Sequence, residues 1–287
     1  ERLHIEEPEP PAPVTEPEKT FEEVLDEHPV SIQVNGQWQT FPNAKAAEEA
    51  SYEEYKANLR RNAKNFRITD EHLGEGGPKA KFQANVNAIR LLKELEFAGQ
   101  QASPEQQEIL SRYVGWGGIP DAFDPEKLAW ASEYTQLKEL LTPEEYAAAR
   151  SSTLNAHYTS PTVIQAIYEA VGRMGFETGN ILEPSMGVGN FFGMLPEKMR
   201  NSRLYGVELD PVSGRIAKQL YPKADITVGG FETTDRRDFF DLAIGNVPFG
   251  QYQVNDKAYN KLNFNIHNYF FAKALDQVRP GGVVAFV

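Results

Sequence analysis

The chain has 287 residues, 40% hydrophobic and 24% charged, enough for one large domain or two modest ones. It has no cysteine, no G-x-x-x-x-G-K-S/T loop, no signal-like or membrane-spanning apolar run, and no i,i+4 pair among His4, His28, His72, His157 and His267; these absences exclude disulfide scaffolds, cysteine nucleophiles, P-loop NTPases and zinc hydrolases, and point to a soluble, cytoplasmic protein with no metal and no membrane partner. The net charge of −12 is mostly a tail property, because residues 1–28 carry ten acidic residues against Arg2 and Lys19.

Residues 1–29 are acidic and proline-rich, with Pro8, Pro10, Pro11, Pro13 and Pro17 among glutamates, and read as a disordered tail that cannot bury a core. Val30–Val34 and Gln37–Phe41 flank Asn35-Gly36, the signature of a hairpin closed by a type I′ turn. Strong helix formers run from Ala44 to about Ala63, and Phe82–Phe97 carries Val86, Ile89, Leu92 and Leu95 at helical spacing. Gly74-Glu-Gly-Gly-Pro78 is a loop. Ser103-Pro-Glu-Gln and Thr142-Pro-Glu-Glu each present a cap, a proline at the first helical position and an N3 side chain that can reach back, so a helix is predicted at both. The segment 30–150 is therefore a hairpin plus a mainly helical extension.

From Ser151 the texture changes. A helix over 163–174 (Val163, Ile167, Val171, Met174 on one face) precedes strands at Asn180–Glu183, Arg203–Val207, Asp225–Val228, Asp241–Gly245 and Val283–Val287, with helices over 211–220 and 268–278 between them. Alternation of this kind makes an α/β domain at 151–287: a Rossmann-like, doubly wound parallel sheet, expected in the order 3-2-1-4-5, with its crevice at the carboxyl ends of the strands. The chain stops on what reads as a buried fifth strand, which suggests a piece of a longer polypeptide.

The first of these strands ends in Glu183-Pro184-Ser-Met-Gly187-Val-Gly189-Asn190-Phe191. Gly187 and Gly189 let the backbone approach a ligand. No third glycine, lysine or arginine follows to hold phosphate, and the acid before the loop repels pyrophosphate but accepts a cation. The next strand ends in Glu208-Leu209, where a carboxylate can accept from ribose hydroxyls. Each feature alone fits an ordinary strand–helix turn or a solvated strand end. In this order they point to S-adenosylmethionine, an adenosine with a cationic tail and no phosphate.

The fourth strand ends in Asn246-Val247-Pro248-Phe249-Gly250. This motif resembles the Asp/Asn/Ser-Pro-Pro-aromatic signature of S-adenosylmethionine-dependent amino-group methyltransferases. The wider resemblance, carried also by Asn65–Asp70, Tyr113–Gly118, His157–Pro161 and His267–Phe271, is to the adenine-methylating DNA methylase domain of large phage and conjugative-element methylase–helicase proteins. It implies a catalytic Asn246-Val247-Pro248-Phe249 loop, with the Asn246 side-chain oxygen and the Val247 carbonyl accepting hydrogens from an exocyclic amine. Phe249 then stacks a flipped base. It implies cofactor contacts from Tyr158, Thr159, Glu183, Pro184, Gly187, Gly189, Asn190, Phe191, Glu208, Leu209, Phe231 and Asn246, with Thr159 also capping its helix. The partners it implies are DNA and the helicase of a longer parent chain. Two departures stand out: Val247 replaces a usual proline, and Gly230-Phe231 replaces a usual acid–Phe pair that meets the cofactor's adenine amine.

His267 to Phe271 opens a helix whose Phe271, Leu275 and Val278 sit at core spacing. Tyr113–Gly118 fits a functional loop, although an aromatic between glycines is more often a buried anchor. Arg60, Arg61, Lys64, Arg67, Lys79 and Lys81 belong to a +5 stretch over 60–93 and are candidates for contacts with nucleic-acid phosphate, although a solvated helix face is the commoner use of such charge. The reading is adenine-N6 DNA methylation, with the isolated chain inactive or weakly active. RNA or protein glutamine amides as substrate, or a degenerate methylase fold serving as a DNA-binding module, are the alternatives.

Overall fold

The computed structural model describes residues 28–70, 72–153 and 159–287, except for the side chains of Lys56 and residues 59–62. The acidic tail up to Glu27, His157, Tyr158 and the side chains of Arg60 and Arg61 lie outside the described residues. The chain divides at Asn58/Leu59 into two compact units.

In the first unit β1 (Val30–Val34) pairs antiparallel with β2 (Gln37–Phe41). Asn35 and Gly36, at φ 51° and 75°, both take the positive values a type I′ turn requires. The Asn35 amide donates to Glu54 of α1 (Ala44–Asn62), whose first turn is capped by Asn43.

The second unit begins with helices α2 (Pro78–Phe97), α3 (Pro104–Ser111), α4 (Ala131–Leu140) and α5 (Pro143–Ser152). Complete capping boxes stand at Ser103/Gln106 and Thr142/Glu145, as predicted from the Ser-Pro and Thr-Pro starts. Next come α6 (Pro161–Arg173), β3 (Asn180–Glu183), the single turn α7 (Asn190–Gly193), β4 (Arg203–Glu208), α8 (Pro211–Leu220), β5 (Asp225–Val228), β6 (Phe240–Gly245), α9 (Ile266–Gln277) and β7 (Val278–Phe286). The sheet runs β5-β4-β3-β6-β7 with every neighbour parallel. That is the expected 3-2-1-4-5 order, and the direction reverses beside β3. The strand order therefore opens a crevice at the carboxyl ends of β3 and β6, which fixes where a ligand can sit.

The change of texture at Ser151 is not a break in the core. Phe82, Val86, Ile89 and Leu92 of α2 belong to the same buried cluster as Ile181, Ile216 and Leu242 of the sheet domain. Asn65–Asp70 is stitched on as well: the Phe66 amide donates to the Leu220 carbonyl at 2.8 Å and the Ile68 amide to Gly193 at 3.0 Å.

Three local expectations need correction. The cap of α6 is Ser160, not Thr159, because Pro161 takes the first helical position and places the cap immediately before itself. The buried face of α6 is Ile164, Tyr168 and Val171, while Val163 and Met174 are exposed. In α9 the buried residues are Ile266, Tyr269, Phe270, Lys273, Ala274 and Gln277; Phe271 and Leu275 face outward and Val278 already belongs to β7. In both helices apolar residues stand on more than one face, so spacing alone selected the wrong stripe.

Glu145 joins the helical extension to the sheet domain. Its carboxylate accepts from Lys93 of α2 at 2.9 Å, from Arg215 of α8 and from the Thr142 amide. Burial pushes this carboxyl up, but the two cations and the amide outweigh burial and hold it below its usual range. Because Lys93 and Arg215 each keep about a third of their side chains exposed (33% and 31%), Glu145→Ala is expected to cost about 2 kcal/mol, between a surface and a buried pair. Chemical denaturation checks this, with Glu145→Gln expected to lose less.

Candidate functional site

The carboxyl ends of β3, β4 and β6 open into a cleft of about 940 Å³. Glu183, Pro184, Gly187, Asn190, Phe191, Glu208, Leu209, Phe231, Thr159 and the whole Asn246–Phe249 loop line it. Glu183 and Asn246, 63 positions apart (246 − 183), thus meet because β3 and β6 are neighbours.

Gly187 and Gly189 hold φ of 55° and 84° in the turn between β3 and α7. A Cβ on Gly187 would meet no atom within 4 Å, so the backbone there faces open space. A Cβ on Gly189 would instead strike the Tyr221 ring and Met186, so the second glycine is required by packing and lies under the turn rather than in the cleft lining. The carboxylate of Glu208 ties the turn down: Oε2 accepts from the Gly187 amide and Oε1 from the Asp210 amide, each at 2.7 Å. Each oxygen keeps a second lone pair for a hydroxyl. Burial pushes this carboxyl up to about 7, and Asp210 adds to the rise against the opposing amide bonds.

Glu183 is 2% exposed, and its Oε2 has no hydrogen-bond partner among the described residues. Burial, and then the charge of Glu208, push its carboxyl well up. A buried acid with an unused acceptor is a receptor for a cation or a strong donor.

Across the cleft, Val247 is 2% exposed and packs into a buried cluster with Leu182, Phe231 and Phe270. The side chain that departs from the usual proline anchors the loop. Phe249, by contrast, is half exposed at the rim. Phe231 is buried against Phe270, ring centroids 5.0 Å apart. A Cβ on Gly230 would collide with the Glu232 carboxylate, which therefore fills the place of a side chain at 230. Glu232 lines the cleft, so an acid stands immediately after Phe231.

The Tyr113–Gly118 loop, a candidate functional loop in the sequence, lines the cleft through Tyr113, Val114 and Gly115, and Ala148, Ser151 and Ser152 join it without any sequence signal. Buried Asn85 sets the loop, donating to the Gly115 carbonyl at 2.6 Å and accepting from the Val114 amide at 2.9 Å. A lone Asn on the apolar face of a helix was the signal. Tyr113 and Trp116 are indeed buried anchors, in edge contact at 6.2 Å.

The basic candidates are placed variously. The Arg67 guanidinium donates to the Leu195 carbonyl. Lys79 donates to the Ala129 carbonyl, pairs with Glu133 at 2.6 Å and lies 4.0 Å over the Trp130 ring. Lys64 is exposed and Lys81 half-buried. Arg67 and Lys79 thus already have internal work.

No family profile matches the chain. It is 28% identical over 220 residues to Defense against restriction protein B of Escherichia phage P1, covering 75% of this chain and 8% of that protein. It is 39% identical over 92 residues to Type II methyltransferase M.CvrRI of Paramecium bursaria Chlorella virus XZ-6E, covering 32% of this chain and 24% of that protein. The chain therefore spans a small part of each relative. Among solved structures it is similar to a Listeria monocytogenes protein named for a class I S-adenosylmethionine-dependent methyltransferase (TM-score 0.39, 17% identity, 73% of this chain and 72% of that one). It is also similar to a Bacillus cereus O-methyltransferase in complex with SAH (TM-score 0.29, 19% identity, 54% and 72%).

The raised carboxyls of Glu183 and Glu208 contribute to the pH response of the chain, beside the raised Glu96 and Asp210. Between the ordinary glutamate range and the folded values, the native state holds protons that the unfolded chain has released, so stability falls as pH rises. Thermal melting from pH 5 to 8 is expected to decline more steeply in the wild type than in Glu183→Gln. Parallel curves would contradict the burial of an uncompensated acid.

Proposed function

We propose that the cleft binds S-adenosylmethionine and transfers its methyl group to the exocyclic N6 amine of an adenine flipped out of DNA. One observation carries the reading: the Asn246–Phe249 loop and the Gly187 turn, with Glu183 and Glu208 at its edges, line a single cleft. The residues fit the cofactor. Unused acceptor capacity on Glu183 suits a cationic amino group, and the second lone pairs of Glu208 suit ribose hydroxyls. Phe231 and Glu232 suit an aromatic ring bearing an amine. The cofactor supplies a methyl group already activated on a sulfonium, so the protein's task is alignment.

Asn246 and the Val247 carbonyl accept the hydrogens of the incoming amine and turn its lone pair toward the methyl group. Val247, through its buried side chain, holds that carbonyl in place. Phe249 offers an exposed aromatic face to the extruded base. The names of both relatives, one for defense against restriction and one for a Type II methyltransferase, favour DNA over RNA or a protein amide.

Methyl transfer from labelled S-adenosylmethionine to a duplex library, read by nucleoside mass spectrometry, tests the reaction in the full-length parent protein. N6-methyladenine is expected, falling at least about 100-fold in Asn246→Ala, the scale of losing one positioned hydrogen-bond partner. Methylated RNA or glutamine without methylated DNA would overturn the substrate, and cofactor binding with no transfer at all would favour a binding module.

Affinity for S-adenosylhomocysteine tests the cofactor site separately. Glu208 must be ionised to accept from two hydroxyls, and it ionises at about 7. Binding is therefore expected to tighten from pH 6 to pH 8, and to become weaker with a shallower pH dependence in Glu208→Gln. Calorimetry across that range would contradict the assignment if the wild type showed no slope.

A further inference from the structure

Beyond Phe249 the chain makes an excursion over residues 250–265 before Asn265 caps α9. A buried ion pair fixes it. Lys273 Nζ of α9 donates to Asp256 Oδ2 at 2.7 Å, and the Tyr269 hydroxyl donates to the same oxygen at 2.9 Å. Lys273 also donates to the Glu232 carbonyl at 3.2 Å, so the excursion is locked to the loop that carries Phe231.

The excursion lines a second pocket of about 260 Å³, open to solvent. Its polar lining is carboxamide, from Gln253, Asn255, Asn260 and Asn263, and Tyr259 and Phe264 supply aromatic walls. Besides tyrosine, no ionisable side chain lines it, so phosphate and carboxylate ligands have no counter-charge there. Val254 and Asn255 line the large cleft as well, so the two spaces adjoin.

Asn260 spends its amide internally, accepting from the Asp256 amide at 2.9 Å and donating to Asn255 Oδ1 at 2.8 Å. That arrangement orients Asn255 and leaves its Nδ2 without a partner among the described residues, as it does the side-chain amide of Asn263. The same excursion carries Lys257 and Lys261, both exposed and in no ion pair among the described residues. Neutral amides that both donate and accept, flanked by aromatic faces, match the edge and the face of a nucleobase, and nearby lysines match a phosphodiester backbone. A volume of 260 Å³ is below the roughly 300–1,000 Å³ of sites for larger ligands and suits one base rather than a nucleotide.

We propose that this cavity holds the base adjacent to the one presented to Asn246, and so reads the flanking sequence of a nucleic-acid substrate. The proposal rests on the nucleic-acid reading above. The test is photo-crosslinking of the 287-residue chain, saturated with S-adenosylhomocysteine, to single-stranded oligonucleotides carrying 4-thiothymidine on either side of a single adenine. Crosslinked peptides are mapped by mass spectrometry. Crosslinks are expected in the peptide spanning 253–264, falling at least about tenfold in the Gln253→Ala/Asn263→Gly variant, in which glycine retains the positive φ of 51° at position 263. Unchanged S-adenosylhomocysteine affinity in that variant shows that the fold and the cofactor site are intact.

Crosslinks confined to other peptides, or equal in the variant, overturn the flanking site while leaving a nucleic-acid substrate standing. No crosslink to any oligonucleotide, with cofactor product bound, overturns the nucleic-acid reading and this site with it.

Discussion

The site depends on the carboxylate of Glu208. At the end of β4 it accepts one backbone amide from the turn after β3 and another from the start of α8, each at 2.7 Å. Two strand ends and two helix starts are thereby held at one point. Parallel pairing of Glu183 with Gly206 brings the second acid close by, two residues before Glu208 in the neighbouring strand. Burial raises both carboxyls; the charge of Glu208 adds to the rise at Glu183, and that of Asp210 to the rise at Glu208.

Around that point the cleft is walled by segments distant in sequence. The helical extension supplies one side through the loop that Asn85 holds, and Glu145 keeps α2, α5 and α8 in register. The opposite side comes from the loop after β6 and from the excursion pinned by Asp256 and Lys273. Burial works against the Asp256 charge, but Lys273 and Tyr269 outweigh it and hold the carboxyl below its ordinary range. Both walls are thus fastened by carboxylates with partners, whereas Glu183 on the cleft floor keeps an oxygen without one among the described residues.

Much of the architecture was legible because it is written in local rules. Alternating strand and helix runs give a parallel sheet, Asn35-Gly36 gives a hairpin, and Ser103-Pro and Thr142-Pro give helix starts. The same rule, applied to Ser160-Pro161, would have placed the cap of α6 correctly. What was not legible depends on distant partners. The buried stripes of α6 and α9 are chosen by which face meets the sheet, and both helices offer apolar residues on more than one face. Glu232 filling the space beside Gly230, and Val247 anchoring its loop, follow from side-chain placement that no spacing rule encodes. The wall at Tyr113–Gly115 depends on a single buried Asn thirty residues earlier.

On the proposed reading, one cleft positions an adenosine-type cofactor against the Asn246 loop. A crystal structure of the chain with S-adenosylhomocysteine tests it most directly. The account predicts ribose hydroxyls on Glu208, the amino end at Glu183, the base beside Phe231 with its amine toward Glu232, and the sulfur facing Asn246. A ligand bound elsewhere, or in this cleft with its ribose away from Glu208, would contradict it.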